Sequence, residues 1–232
     1  MAKMKAFVIR LKNIETSESL ANDCVESGMR LGLEIEKFDG IYGDLVNPYL
    51  SNFLKIRQGP AKMKKKRLGV LGCLASHYTL WKQSFETNQT LCIFEHDGIL
   101  LREIPYNIEE MFDEFLLLDP YNKFSQGYKD QHMEIRNSSE FIITKYESPD
   151  SRKKYDVKSE YAMGLQAYII KPKAAYKLLK HIEINGFVPA DMQCNKDTVN
   201  LETIFPACAS INKIFYSDKE KMLQMSTTHK IW

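Results

Sequence analysis

Apolar residues fall along the chain in short runs and helical stripes separated by polar turns. Ala6 to Leu11 is apolar but for Arg10 and predicts a first strand. From roughly Ser17 to Leu31, Leu20, Cys24, Val25 and Met29 lie close to one helical face. Leu33 to Phe38 alternates apolar and charged residues, which suits a second short strand. The turn-rich Asp39-Gly40-Ile41-Tyr42-Gly43-Asp44 closes it. Leu74, His77, Tyr78, Trp81 and Phe85 then repeat at helical spacing, with Asn88 as the stop. Leu91-Cys92-Ile93-Phe94 is a continuous apolar run, as a strand buried on both faces requires. It breaks off at Glu95-His96-Asp97-Gly98, and a further helix is expected with Ile108, Met111, Phe112 and Phe115 on one side.

Strand, helix, strand, helix in succession predicts an α/β domain with a mostly parallel central sheet flanked by helices. Asp119 to Ser138 is polar and reads as a long surface excursion, the kind of segment that carries specificity in such folds. Strands resume at Phe141-Ile142-Ile143 and Ala167-Tyr168-Ile169-Ile170. A helix opens with Pro172 in its first turn, where the missing N–H has no partner to lose, and buries Ala175, Leu178, Leu179 and Ile182. Beyond Pro189 only a weak strand at Lys213 to Tyr216 is expected.

Composition narrows the class. The 232 residues are 44% hydrophobic and 27% charged, the proportions of a globular protein rather than a disordered chain. Lys and Arg number 32 against 30 Asp and Glu, a net charge of +2, which disfavours a sequence-reading nucleic-acid module. The basic run Lys62-Met63-Lys64-Lys65-Lys66-Arg67 reads first as a solvated loop. It also suits anionic phosphate on an acceptor, on a nucleotide or at a membrane surface. Five widely spaced cysteines without a CxxC pair argue against a structural zinc site or a disulfide framework. With no signal-peptide core in the opening residues and no run near ~20 apolar residues, a reducing cytoplasm is the expected home.

Glu95-His96-Asp97 carries the most chemistry. Two carboxylates one residue apart, at the carboxyl end of a buried strand, sit where α/β sheets bind ligands. In extended backbone Glu95 and Asp97 point to one side, as ligation of a hard divalent cation such as Mg²⁺ or Mn²⁺ beside a diphosphate demands. The plainer alternative is a polar turn after a strand.

The run Gly69-Val70-Leu71-Gly72-Cys73-Leu74-Ala75-Ser76-His77, then Trp81, then Leu91 to Asp97, resembles glycosyltransferase family 25. That family includes lipooligosaccharide β-galactosyltransferases and domains that glycosylate collagen hydroxylysine. Its members show Gly-Cys-x-x-Ser-His leading into a helix, then an apolar strand ending in Glu-Asp-Asp. Val8-Ile9-Arg10-Leu11 is similar to the family's first strand, and Phe38-Asp39-Gly40-Ile41-Tyr42-Gly43 to the close of its second unit. Gly164 to Ile170 with Lys173, Ala174 and Leu178-Leu179 is similar to its Tyr-Ile-Ile strand and following helix. Pro189-Ala190-Asp191 matches its Pro-Val-Asp. The matches keep the family's order from Phe7 to Asp191. Three positions depart: His96 stands for the middle Asp, Val70 for Glu and Arg10 for Asn.

The resemblance implies a GT-A, Rossmann-like domain over residues 1–232, with a donor-binding part at about 1–118 and an acceptor part at about 119–232. It implies an inverting, metal-dependent transferase that uses Mn²⁺ or Mg²⁺ and a UDP-sugar, galactose first. The acceptor would be a hydroxyl on a glycan, a glycolipid or a protein. Asp97 is the first choice as metal ligand, Glu95 contacts the ribose or a metal-bound water, and Arg10 lies on the nucleotide loop. Asp191 is the base candidate, with helix N-cap or sugar-hydroxyl acceptor as its other readings. His229 is the candidate third metal ligand. His77 is expected as a buried histidine bonded to backbone, and Ser76 as packing near the donor pocket. A non-catalytic relative that binds a nucleotide, a sugar or a partner is the alternative function.

Overall fold

The computed structural model describes residues 4–43, 67–119, 139–147, 160–162, 164–186 and 188–212. The basic run at 62–66, the excursion from 120 to 138, the strand expected at 213–216, His132 and His229 lie outside the described residues.

Seven strands build one sheet: β1 (Lys5–Arg10), β2 (Ile35–Asp39), β3 (Leu91–Glu95), β5 (Phe115–Leu117), β6 (Ile142–Lys145), β7 (Ala167–Ile170) and β8 (Leu201–Phe205). Their order is β2-β1-β3-β7-β5-β8-β6. β1 is parallel to β2 and β3, and β5 is parallel to β8. β7 runs against β3 and β5, and β6 runs against β8. Five of the seven strands therefore share one direction, and the mostly parallel α/β sheet expected from the sequence is present. A separate pair joins β4 (Gly98–Leu100) to β9 (Ala209–Ile211), antiparallel.

The period of two along each strand divides the core into two layers. Phe7, Leu91, Ile93, Phe115, Leu117, Tyr168 and Ile170 face one way. There they pack under α2 (Arg67–Thr87) and α4 (Pro172–Asn185), through Leu74, Trp81, Ala175 and Leu178. Ala6, Val8, Cys92, Phe94, Leu116 and Ile169 face the other way, toward Ala21 and Cys24 of α1 (Glu15–Arg30). Leu91 to Phe94 are wholly buried, which accounts for the continuous apolar run at the centre of the sheet. Burial of each large apolar side chain there stabilises the fold by roughly 1.5–3 kcal/mol. The cost of breaking that layer is correspondingly large: Ile93→Ala leaves a cavity under α2 and loses about 2–5 kcal/mol.

Several expectations need correction. The helix read over Ile108 to Phe115 is a single turn, α3 (Ile108–Met111), and Phe115 begins a strand. Phe115 to Leu118 is a second apolar run buried on both faces, and strand packing overrides the fortuitous helical spacing. Chain beyond Pro189, read as irregular, forms α5 (Ala190–Gln193), β8 and β9. The buried stripe of α1 runs through Ser17, Leu20, Ala21, Cys24, Ser27 and Gly28, leaving Met29 exposed. Phe85 likewise lies half exposed, its ring 5.3 Å from that of Tyr176 on α4.

Strand directions decide where chemistry can occur. Ile9 pairs with Glu95 and Arg10 with Asp39, so the ends of β1, β2 and β3 meet on one edge. The end of β5 and the beginnings of β6 and β7 lie on that edge too.

Candidate active site

Glu95 is the last residue of β3, and its amide donates to the Gln166 carbonyl at 3.0 Å. Alternation sends Leu91, Ile93 and Glu95 toward α2. His96 turns the other way, and its Nδ1 lies 3.2 Å from the Ser17 hydroxyl of α1. That same hydroxyl accepts from the Leu11 amide at 2.8 Å. Extended geometry stops at Glu95, contrary to the condition under which Glu95 and Asp97 would project together. His96 and Asp97 form a turn before β4, fixed by the Asn212 amide donating to the Asp97 carbonyl at 2.7 Å. A Cβ on Gly98 would stand 2.3 Å from the Gln166 carbonyl oxygen, so the turn needs a glycine to approach β7 this closely.

The Gly-Cys-x-x-Ser-His segment of α2 has a distinct job on each of two faces. Gly72 and Ser76, four apart, meet the loop that follows β2. A Cβ at Gly72 would lie 2.4 Å from the Ile41 carbonyl oxygen and 2.9 Å from the Gly43 nitrogen. Ser76 accepts from the Ile41 amide at 2.8 Å and donates to the Gly72 carbonyl at 2.7 Å. Cys73 and His77, one position on, face the end of β3. Cys73 Sγ is 4.0 Å, and His77 Nε2 3.3 Å, from Glu95 Oε1.

His77 is buried as the sequence suggests, but its partners are side chains rather than backbone. Its Nδ1 lies 2.9 Å from the Tyr168 hydroxyl, which also accepts from Trp81 Nε1 at 2.9 Å. Trp81 can only donate, so the Tyr168 oxygen accepts from it and its own O–H is free to reach His77 in the following arrangement. Trp81 donates to Tyr168, Tyr168 to His77 Nδ1, and His77 Nε2–H to Glu95. Tyr168 stacks on Phe115 with ring centroids 4.6 Å apart, and burial pushes its phenol well above the ordinary value.

The acids share one neighbourhood. Burial pushes the Cys73 thiol well above its ordinary pKa, and the carboxylates of Glu95, Asp191 and Asp97 push it further. Asp97 also raises Cys24, second to burial, which puts it within electrostatic reach of α1 as well. Asp191 lies in the first turn of α5, where its Oδ1 accepts from the Met192 amide at 2.9 Å. Arg10 reaches the same edge of the sheet, but its guanidinium is engaged by Glu18 and, at 2.8 Å, by Asp39. Among the described residues, Cys73, His77 and Glu95 offer metal-ligating atoms within 4.8 Å of one another. Sequence reading missed this trio, although the i, i+4 spacing of Cys73 and His77 was its available signal. Tyr168 also went unassigned, though a phenol in an otherwise apolar buried strand calls for a partner.

Sheet, flanking helices and an acid-bearing edge make a mixed α/β domain with its candidate site at the carboxyl ends of the parallel strands. The family profile described as "Glycosyltransferase family 25 (LPS biosynthesis protein)" matches residues 4–194, and the chain belongs to that family. An Aedes aegypti protein named "Glycosyltransferase 25 family member" is 23% identical over 201 residues, covering 82% of this chain. The chain spans about 30% of the length of that relative. The crystal structure of mouse xyloside xylosyltransferase 1, apo form, overlaps with a TM-score of 0.37 at 8% identity. That overlap covers 82% of this chain and 79% of the mouse chain.

Proposed function

We propose that the protein is a metal-dependent, inverting glycosyltransferase that moves a sugar from a UDP-sugar, galactose first, to a hydroxyl acceptor. The observation that carries this reading is Glu95 at the carboxyl end of β3 with Asp97 in the turn directly after it, and Asp191 within electrostatic reach of the same Cys73 thiol. Family membership supplies the reaction class. Asp97 in the turn after β3 and Glu95 at the strand's end are hard oxygen donors suited to Mn²⁺ or Mg²⁺, with Asp97 as first ligand and Glu95 contacting the ribose or a metal-bound water. When bound, such an ion neutralises charge on the departing diphosphate.

The chain's own groups do the rest. Asp191 accepts the acceptor hydroxyl's proton while that oxygen attacks the anomeric carbon, and UDP leaves from the opposite face. His77 holds one oxygen of Glu95, so that carboxylate meets the nucleotide in a fixed orientation. His96 faces α1, so its replacement of an acid does not strip a carboxylate from the face that carries Glu95. Residues 120–138 and the chain after Asp191 are the segments from which acceptor contacts would come. No described helix is long and apolar enough to cross a membrane. The basic run at 62–67 suits a phosphate-bearing acceptor or a membrane surface.

A thermal-shift titration with UDP, with and without Mn²⁺, tests the reading. Expected is a metal-dependent rise in Tm that disappears in Asp97→Asn, with slow hydrolysis of UDP-galactose by the unaltered chain. UDP binding indifferent to metal, with no donor hydrolysis, points to the non-catalytic alternative and overturns the proposal.

A further inference from the structure

We propose that Cys73, His77 and Glu95 form a second metal site, selective for a thiophilic divalent cation of the zinc class. A thiolate, an imidazole and a carboxylate are the donors that zinc takes in three-ligand sites, with the fourth position left to water. Two of them come from one face of α2, four residues apart, and the third from the end of the strand beneath it. In a tetrahedron built on Zn–N and Zn–O bonds near 2.0–2.2 Å, those two ligand atoms stand roughly 3.4 Å apart. His77 Nε2 and Glu95 Oε1 are 3.3 Å apart. Thiolate and carboxylate in the same tetrahedron stand roughly 3.6 Å apart. The observed 4.0 Å between Cys73 Sγ and Glu95 Oε1 closes with a small side-chain adjustment.

Tyr168 supplies the outer support that ligating histidines need. Ligation through Nε2 moves the ring proton to Nδ1, which then donates to the Tyr168 oxygen. That oxygen has two lone pairs, one for His77 and one for Trp81, so both donors keep an acceptor while the phenol's own proton gives up its bond to His77. The Cys73 proton is released to solvent as the thiolate binds. Sulfur and nitrogen donors set the trio apart from the oxygen-only pair proposed for the donor's cation, although Glu95 borders both. Occupancy of the trio does not depend on the sugar-transfer reading.

Cobalt(II) titration of the metal-free full chain tests the proposal, because a thiolate ligand gives an intense charge-transfer band in the near ultraviolet. Expected is that band at one equivalent, displaced by Zn²⁺ and absent from both Cys73→Ser and Cys73→Ala. Tyr168→Phe keeps the band but weakens zinc binding about 10–100-fold, the usual consequence of losing an outer hydrogen bond. Asp97→Asn keeps the band even where metal-dependent UDP binding is lost, which separates the two sites. No thiolate band in the unaltered chain overturns the assignment, as does a band that persists in the Cys73 variants or vanishes in Asp97→Asn.

Discussion

Gly72→Ala sets two physical effects against each other. Helix propensity alone favours the change, since alanine in a helix interior is better than glycine by about 0.8–1.0 kcal/mol. Sterics oppose it. The new Cβ would stand 2.4 Å from the Ile41 carbonyl oxygen and 2.9 Å from the Gly43 nitrogen, both backbone atoms that cannot rotate away. Restoring ordinary contact requires the 41–43 loop to retreat by about 1 Å, given favourable heavy-atom separations near 3.5 Å. Overpacking of this kind costs about 1–3 kcal/mol. The retreat also stretches the Ile41 amide away from Ser76 Oγ, a bond of 2.8 Å worth about 1 kcal/mol. With the propensity gain subtracted, the net loss is about 2 kcal/mol. For a chain of this size that is a fall in Tm of roughly 4–8 °C. Differential scanning calorimetry with a matching urea titration reads both numbers. A Tm equal to or above that of the unaltered protein would refute the close approach of α2 to the loop.

Tyr168→Phe removes the oxygen shared by Trp81 and His77. Two buried polar groups are then left unpaired at about 1–3 kcal/mol each, so urea unfolding should show a loss of about 2–5 kcal/mol with an unchanged slope. A loss within experimental error would mean the network contributes nothing. His181 accepts at Nδ1 from Gln193 Nε2 at 2.6 Å, and burial holds its pKa below the ordinary value despite the opposing charge of Asp197. The unfolded chain therefore binds more protons in the window below about pH 6.5. Stability from this group is full above that pH and is lost as pH falls through the folded value. The urea midpoint should drop between about pH 7 and pH 5 more steeply than in His181→Asn, and equal slopes would count against the assignment. Burial also pushes all five thiols up, Cys208 to about 12. Iodoacetamide at pH 8 should label the folded chain slowly and the urea-unfolded chain at five sites, read by intact mass. Rapid labelling of Cys73 in the folded chain would contradict its surroundings.

Where one residue type had one physical reason to be present, the sequence was easy to read. Leu91 to Phe94 can be apolar throughout only if both faces are covered, and Glu95 then has to mark the sheet's edge. Pro172 at the first turn of α4 and Asn88 with a left-handed φ of 51° just past α2 both stand where the pattern put them. β8 escaped notice because Glu202 interrupts its apolar pattern. Its carboxylate accepts from the Asp113 amide, an interaction 89 residues distant that no local window can register. The direction of β7 is invisible for a similar reason, since Ala167 to Ile170 is wholly buried and would look the same run either way. Motif spacing singled out Glu95 and Asp97 but not their surroundings. That Cys73 and His77 face Glu95, and that Tyr168 holds His77 from behind, depends on how α2 rolls against β3 and β7.

The gathering of strand ends on one edge has an evolutionary consequence. Gly43 stands on that edge, and Arg67 opens α2 less than two turns before Gly72, where an added Cβ would collide with the Gly43 backbone. β5 ends and β6 begins on the same side, and Asn212, the last described residue, is bonded there to Asp97. Insertions and deletions at these three places never have to cross the sheet or reorder a strand. Length changes at the rim around Glu95 leave untouched the opposite edge, where Glu114 binds Lys177 and accepts from the Asn200 amide. Rim segments can therefore change in length while the sheet and the acids at its edge keep their places.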